Sequence, residues 1–277
     1  MTAVIDSIIK MFSYTFMVRA LAVGILVSLC CALLGVTLVL KRYSMIGDGL
    51  SHVGFGALAV ATALGMSPMK LTIPVVIIAA VLILRMNTSG KVKGDSAIGI
   101  LSVSALAIGI ISVSVSKGLN TDLYSYLFGS VLAASDSDVV LSVVLSVIVI
   151  ALYAVYYNRI FAVTFDETFA RASGTNVGFY NMLIAVLTAV TIVLGMRMMG
   201  TLIISALIIF PAVTSMRLCK SFRSVTLCSA ALSVVCFCIG VYASYAYDLP
   251  TGAAIVVANL VMLILFSAVK AAAKWTN

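Results

Sequence analysis

The sequence predicts an all-α, polytopic membrane protein, and three observations carry that expectation. Apolar runs long enough to cross a bilayer recur along the whole chain. Of the 277 residues, 63% are hydrophobic and 9% charged, whereas about a quarter of the residues in a soluble domain are charged. The basic residues behind the formal charge of +8 are spread over the ends of the apolar runs and form no patch or tract. Membrane topology explains such a distribution, and nucleic acid does not.

Taken in order, the apolar runs divide into nine spans, at roughly 18–40, 50–66, 69–86, 96–116, 139–157, 179–196, 198–216, 225–246 and 251–270. The run from Met198 to Met216 begins almost where its predecessor stops, so eight spans with one re-entrant piece is the alternative count. Residues 1–17 have room for a short interfacial helix. The run Ala20 to Leu40 is too long for a signal-peptide core and no cleavage-like site follows it, so the first span is expected to stay in the mature protein. The whole of 1–277 reads as one transmembrane domain.

Charge asymmetry orients the spans. Odd-numbered connections carry Lys41 and Arg42, then Arg85, Lys91 and Lys93, then Arg159 and Arg171, then Arg217, Lys220 and Arg223, and the tail adds Lys270 and Lys274. Even-numbered connections carry Lys70, Lys117 and Arg197 singly, and the last carries none. The positive-inside rule therefore places the odd connections and the C-terminus in the cytoplasm, with Lys10 and Arg19 counting mildly against it.

Two connections are long. The outward one, 117–138, joins polar, acidic ends (Asn120-Thr-Asp122 and Ser135-Asp-Ser-Asp138) through an apolar, aromatic stretch too short to span. That stretch reads as a re-entrant or interfacial turn, and the acidic ends as a place where an outside partner could dock. The inward one, 158–178, contains a short capped helix. Asp166 serves as N-cap, Glu167 and Arg171 stand four apart, Gly174 is the stop, and Phe165, Phe169 and Ala172 line one side. Such a helix either lies in the lipid interface or fits a groove on a soluble partner.

Asp48 and His52 form the sharpest constellation. His52 is the only histidine, and at four residues' separation the pair shares one face of a helix. A carboxylate oxygen and an imidazole nitrogen so placed can reach one divalent ion together. An aspartate within a span costs at least about 2.5–3.5 kcal/mol, which makes it a functional residue by default. Gly47 and Ser51 form a small-xxx-small pair around it, favouring close helix packing over lipid exposure. The bland alternative keeps Asp48 in the interface, paired with Lys41 or Arg42, with His52 bonded to a neighbouring helix. Asp95 reads as an N-cap on a helix entering the membrane, and Pro211 as a kink that frees a carbonyl. The six cysteines read as small apolar packing residues. No Gly-x-x-x-x-Gly-Lys-Ser/Thr occurs, so the chain hydrolyses no nucleotide through a P-loop, and no His-Glu-x-x-His supports a metalloprotease.

Several segments together resemble the ABC-3 family, the membrane permeases of bacterial zinc and manganese ABC importers. They are Lys41-Arg-Tyr-Ser-Met-Ile-Gly-Asp-Gly-Leu-Ser-His52, Asp95-Ser-Ala-Ile-Gly99, Tyr126-Leu-Phe-Gly-Ser130, Phe165-Asp-Glu through Ala170 to Gly174, Gly200-Thr-Leu-Ile-Ile through Pro211-Ala212, and Pro250-Thr-Gly252. The resemblance implies a homodimeric, multi-pass permease in the bacterial plasma membrane. It implies two copies of a separate ABC ATPase subunit and an extracytoplasmic metal-binding protein as partners. It implies no permanently held cofactor and a transported transition metal, zinc ahead of manganese or iron. Asp48 and His52 are implied to line its path, with Gly47, Ser51, Asp95 and Pro211 as pathway or packing residues. Phe165, Asp166, Glu167, Phe169, Arg171 and Gly174 are implied to form the helix that rests on the ATPase. Some zinc members carry a histidine near the position of Val103, which this chain lacks. The run Ser215-Met-Arg-Leu-Cys-Lys-Ser-Phe222 nonetheless looks closer to the zinc branch. Two rival readings stay open, a proton-coupled secondary metal carrier and an ABC permease for another small metal-containing substrate. A membrane enzyme is disfavoured by the shortage of acid–base residues.

Overall fold

In a computed structural model of the chain, which describes residues 13–88, 94–116 and 136–275, every described element is helical. The order is α1 (Thr15–Leu40), α2 (Ile46–Ala63), α3 (Pro68–Thr88), α4 (Gly94–Val115), α5 (Asp136–Val155), the short α6 (Tyr157–Phe165) and α7 (Glu167–Ala172), then α8 (Val177–Met199), α9 (Thr201–Leu218), α10 (Phe222–Tyr247) and α11 (Thr251–Trp275). The expectations for residues 1–12 and for the outward stretch 117–135, Tyr126–Ser130 included, lie outside the described residues.

Among the described residues, eight helices are long and apolar enough to cross a bilayer. α2 is not one of them. Asp48, His52 and the glycines at 47, 49, 54 and 56 dilute its apolar content, yet thirteen of its 18 residues are buried. A helix this polar stays at membrane depth only inside protein, and α2 packs against α3, α4, α8 and α9.

Close backbone approach makes that enclosure possible. A Cβ built on Gly56 would stand 2.3 Å from the carbonyl oxygen of Ala105 on α4, so only glycine lets the two backbones meet there. α1 and α2 are joined by a tight corner yet splay apart, and Ile208 of α9 fills the wedge. Gly35 of α1 lies against the Ile208 backbone and Gly47 of α2 against its side chain. Fully buried Leu34, Leu38, Ile192, Leu194, Ile204 and Leu207 put the core among α1, α8 and α9. Outer faces of α4, α5 and α11 are apolar and exposed, with Val103, Val144 and Ile264 among their residues, as expected of surfaces that meet lipid or another apolar chain.

The near-contact of two spans around residue 198 resolves at Gly200. Its φ of 88° and ψ of 162° lie where essentially only glycine goes, and this one residue separates α8 from α9. At that end of the bundle, Arg197 Nη2 donates to Asp138 Oδ2 at 2.6 Å. Asp138 is therefore a buried partner of Arg197 and not a free docking charge, in contrast to the expectation for the acidic end of the outward connection. The opposite end gathers the corner at 41–45, α6, α7 and the 219–221 connection, joined by a Lys41–Glu167 pair and by Tyr157 packed on Phe222. Most of the basic connections lie on that second end. The described cysteines are all free, with Cys30, Cys31 and Cys236 buried as packing residues.

The glycine requirement is testable. Gly56→Ala should lower stability by about 1–3 kcal/mol through the forced separation of α2 and α4. Gly178→Ala, whose Cβ would meet only the Asn176 side chain at 3.5 Å, should leave stability unchanged or raise it by about 0.5–1 kcal/mol. Thermal melting of the two variants in detergent reads the difference.

Candidate functional site

Asp48 falls in the first turn of α2 and His52 one turn later, so the helix presents both side chains along one edge. His52 Nε2 lies 3.6 Å from Asp48 Oδ2, too far for a good hydrogen bond. Two metal–ligand bonds of about 2.1 Å bridging that gap would subtend roughly 118°, close to a tetrahedral opening. The other carboxylate oxygen, Oδ1, accepts from Ser205 Oγ of α9 at 3.3 Å, which anchors it and leaves Oδ2 facing the imidazole. His52 Nδ1 is buried with no hydrogen-bond partner. Within one copy, then, His52 is an imidazole held by packing, with its other nitrogen aimed at a carboxylate. That donor set suits a divalent transition metal better than calcium or magnesium, which take oxygen ligands.

The ion pair that the interface alternative offers Asp48 is not formed, although its side chain is 45% exposed at the basic end of α2. Lys41 Nζ is engaged by Glu167 and Asn181, and among the described residues neither Lys41 nor Arg42 forms an ion pair with Asp48. Of the other predicted site residues, Gly47 packs on Ile208 beside the pair, while Ser51 turns inward and donates to the Asp48 carbonyl at 2.7 Å. Asp95 is exposed in the first turn of α4, inside the helix and not at its cap, one turn before Ile98, which packs on Gly49. Pro211 is buried in α9, six residues beyond Ser205. Val103 faces outward on α4 and brings nothing to the pair. Ser205 went unread in the sequence, where one hydroxyl in an apolar span looks like any interhelical bond. Among the described residues no three His, Cys, Asp or Glu side chains converge, so Asp48 and His52 stand as a pair there. A cleft of about 530 Å³ lined by Tyr153, Tyr157, Asn158 and Arg223 opens nearer the basic end and includes none of these residues.

The short helix α7 is built as its residues predict. Asp166 Oδ1 accepts from the N–H groups of Thr168 and Phe169, both at 2.9 Å. At the other end, Gly174 with φ of 78° lets its N–H reach the Arg171 carbonyl, while the Thr175 N–H reaches that of Ala170. Ala170 is buried with Val163 and Val177, and Arg159 donates to Thr175 Oγ1 at 2.8 Å, which fixes α7 on α6 and α8. Phe165 and Phe169 are 61% and 66% exposed, and Phe165 packs in a ring cluster with Phe161 and Phe222. In contrast to the expected pairing with Arg171, Glu167 Oε1 accepts from Lys41 Nζ at 2.6 Å and from Asn181 Nδ2 at 3.1 Å. Partial burial works against the charge of Glu167, but hydrogen bonds from Lys41 and Asn181, and the charges of Lys41 and Arg171, outweigh it and hold the carboxyl below its ordinary value.

Comparison with known proteins places this arrangement. The family model described as "ABC 3 transport family" matches residues 13–270. The chain is 32% identical over 257 residues to the manganese transport system membrane protein MntC of Listeria monocytogenes, covering 92% of this chain and 91% of the relative. It is 28% identical over 246 residues to the high-affinity zinc uptake system membrane protein ZnuB of Haemophilus influenzae, covering 89% and 94%. Among solved structures, PsaBC from Streptococcus pneumoniae in complex with Fab superposes with a TM-score of 0.84 at 29% identity, over 96% of this chain and 95% of that one.

The lowered Glu167 value sets a pH window. With its folded value below the ordinary 4.5, the carboxylate contributes its full stabilisation above pH 4.5 and loses it as pH falls through the lowered value. The melting-temperature gap between wild type and Glu167→Gln should therefore hold steady above pH 4.5 and close below it.

Proposed function

The chain belongs to the ABC 3 transport family, and from that premise we propose that it is the membrane permease of an ATP-driven importer for a divalent transition metal. The observation that carries this reading is the 3.6 Å approach of His52 Nε2 to Asp48 Oδ2 on the open edge of a helix whose other faces are packed in the bundle. The names of relatives in both the manganese and zinc groups support a metal as cargo. Asp48 offers a hard, anionic oxygen that offsets the ion's lost hydration, and neutral His52 a borderline nitrogen. A second copy of the chain, meeting the first across its exposed apolar faces, completes the ligand set that one copy leaves at two residues.

Transport then follows alternating access. An extracytoplasmic metal-binding protein delivers the ion at the end that carries Arg197 and Asp138. The basic end, with the C-terminus, faces the cytoplasm, as the positive-inside rule requires. There α7 presents Phe165 and Phe169 as an apolar knob to the ATPase subunit, one ATPase for each copy. Nucleotide-driven movement of the ATPases shifts α7 and opens the site inward. Asp95, at the same end, lies near the inward mouth of the path. Manganese and zinc both suit a carboxylate with an imidazole. The zinc-like run Ser215 to Phe222 starts ten residues beyond Ser205, about 15 Å along α9, and so adds no ligand to the pair.

Asp48→Asn and His52→Ala should each reduce metal uptake in proteoliposomes by at least about 10–100-fold while the ATPase still co-purifies. Uptake at the wild-type level in both variants overturns the site. Competition between Mn²⁺ and Zn²⁺ in the same assay identifies the cargo. Phe165→Ala combined with Phe169→Ala should release the ATPase from the complex; retention of the ATPase moves the docking surface elsewhere.

A further inference from the structure

Lys41 belongs to the segment that leads into the Asp48–His52 helix, yet neither metal binding nor ATPase docking uses it. It closes α1, and its side chain is only 7% exposed. Nζ donates to Glu167 Oε1 at 2.6 Å and to Asn181 Oδ1 at 2.8 Å, while Asn181 Nδ2 donates to the same Glu167 oxygen at 3.1 Å. The three side chains form a closed ring that joins the end of α1, the first residue of α7 and the first turns of α8. A surface ion pair stabilises little, and Glu167 is itself half-exposed. Lys41 is different, because a lysine this enclosed is costly once its counter-charge is gone.

The backbone after Lys41 is held under strain. Arg42 has φ of 62°, in the left-handed region, which residues with a side chain rarely adopt. Tyr43 N–H bonds the Leu38 carbonyl at 2.8 Å and Arg42 N–H that of Val39 at 3.1 Å, a stop that glycine normally makes. α2 begins at Ile46, so Asp48 stands in the first turn beyond this corner. α1 and α2 splay from the corner around Ile208, which leaves it as the covalent hinge between them. The ring therefore fastens the corner to α7.

We propose that Lys41 is a positioning residue of the transport cycle, tying α7 to the corner before α2 so that the Asp48–His52 edge moves when α7 moves. This rests on reading α7 as the ATPase contact and the pair as the metal site. Displacement of Glu167 pulls on Lys41 Nζ, the corner at 41–45 turns, and the start of α2 turns with it. Coupling travels through one short chain of bonds with no need for the rest of the bundle to repack.

The test uses the permease–ATPase complex in proteoliposomes with Lys41→Met, Glu167→Gln and the exchanged pair Lys41→Glu with Glu167→Lys. ATPase co-purification, ATP hydrolysis and metal moved per ATP are measured together. Lys41→Met should keep the ATPase bound and hydrolysing, metal moved per ATP should fall about tenfold in both single variants, and the exchanged pair should recover most of it. A merely structural ring would lower the yield of complex without changing that ratio. Should Lys41→Met fail to fold, Glu167→Gln, which keeps the shape of the side chain, still decides. An unchanged ratio in Glu167→Gln overturns the proposal, as does loss of the ATPase from it, which would make the ring part of the docking surface. Failure of the coupling-helix reading itself shows separately, as an ATPase retained by the Phe165 and Phe169 double variant.

Discussion

An aspartate placed inside a bilayer span costs at least about 2.5–3.5 kcal/mol, and α2 carries one together with the chain's only histidine. Enclosure meets part of that cost: thirteen of the 18 residues of α2 are buried, while the Asp48 and His52 side chains keep 45% and 30% of their surface exposed. Apart from the edge that carries Asp48 and His52, α2 packs against protein, and the small residues along it let its neighbours come close. Gly56 admits the α4 backbone, Gly49 admits Ile98, and Gly47 admits Ile208. The same residues that lower its apolarity thus permit its burial. α3, α4, α8 and α9 supply the packing around the rest of α2.

Enclosure also prepares the chemistry. Ser205 holds one Asp48 oxygen at 3.3 Å and leaves the other opposite the imidazole, whose Nδ1 has no partner within the copy. A carboxylate and an imidazole kept apart at 3.6 Å are not satisfied by one another, and an arriving cation would satisfy both. The arrangement is open on one side, where the Asp48 and His52 side chains are 45% and 30% exposed. At the basic end the constraints are mechanical. α7 is capped by Asp166, stopped at Gly174 and pinned through Arg159, so it responds as a rigid piece. Its fastening to the corner before α2 lies at Glu167.

Much of this was legible in the residues, and the limits have physical reasons. Spacing alone paired Asp48 with His52, because a helix repeats each face at four residues. The α7 caps were legible because capping chemistry is local: Asp166 and Gly174 act within three or four residues. Glu167 misled for the opposite reason. Four residues before Arg171 it reads as a helix pair, but Lys41, 126 positions away in sequence, is closer in space. Asp138 reads as a loop charge until Arg197, 59 positions on, is seen to cover it. Ser205 is indistinguishable from other hydroxyls in apolar spans without knowing that α9 passes Asp48. Local chemistry was readable, and partners supplied by distant helices were not.

Since His52 is the only histidine, metal ligation by it can be observed directly. The full chain, purified with a histidine-free tag into lipid nanodiscs and loaded with Mn²⁺, should give electron spin-echo modulation from the nitrogen of a bound imidazole. That modulation should disappear in His52→Gln. Bound Mn²⁺ that shows no imidazole nitrogen in the wild-type chain, or nitrogen modulation that survives in His52→Gln, would contradict the account.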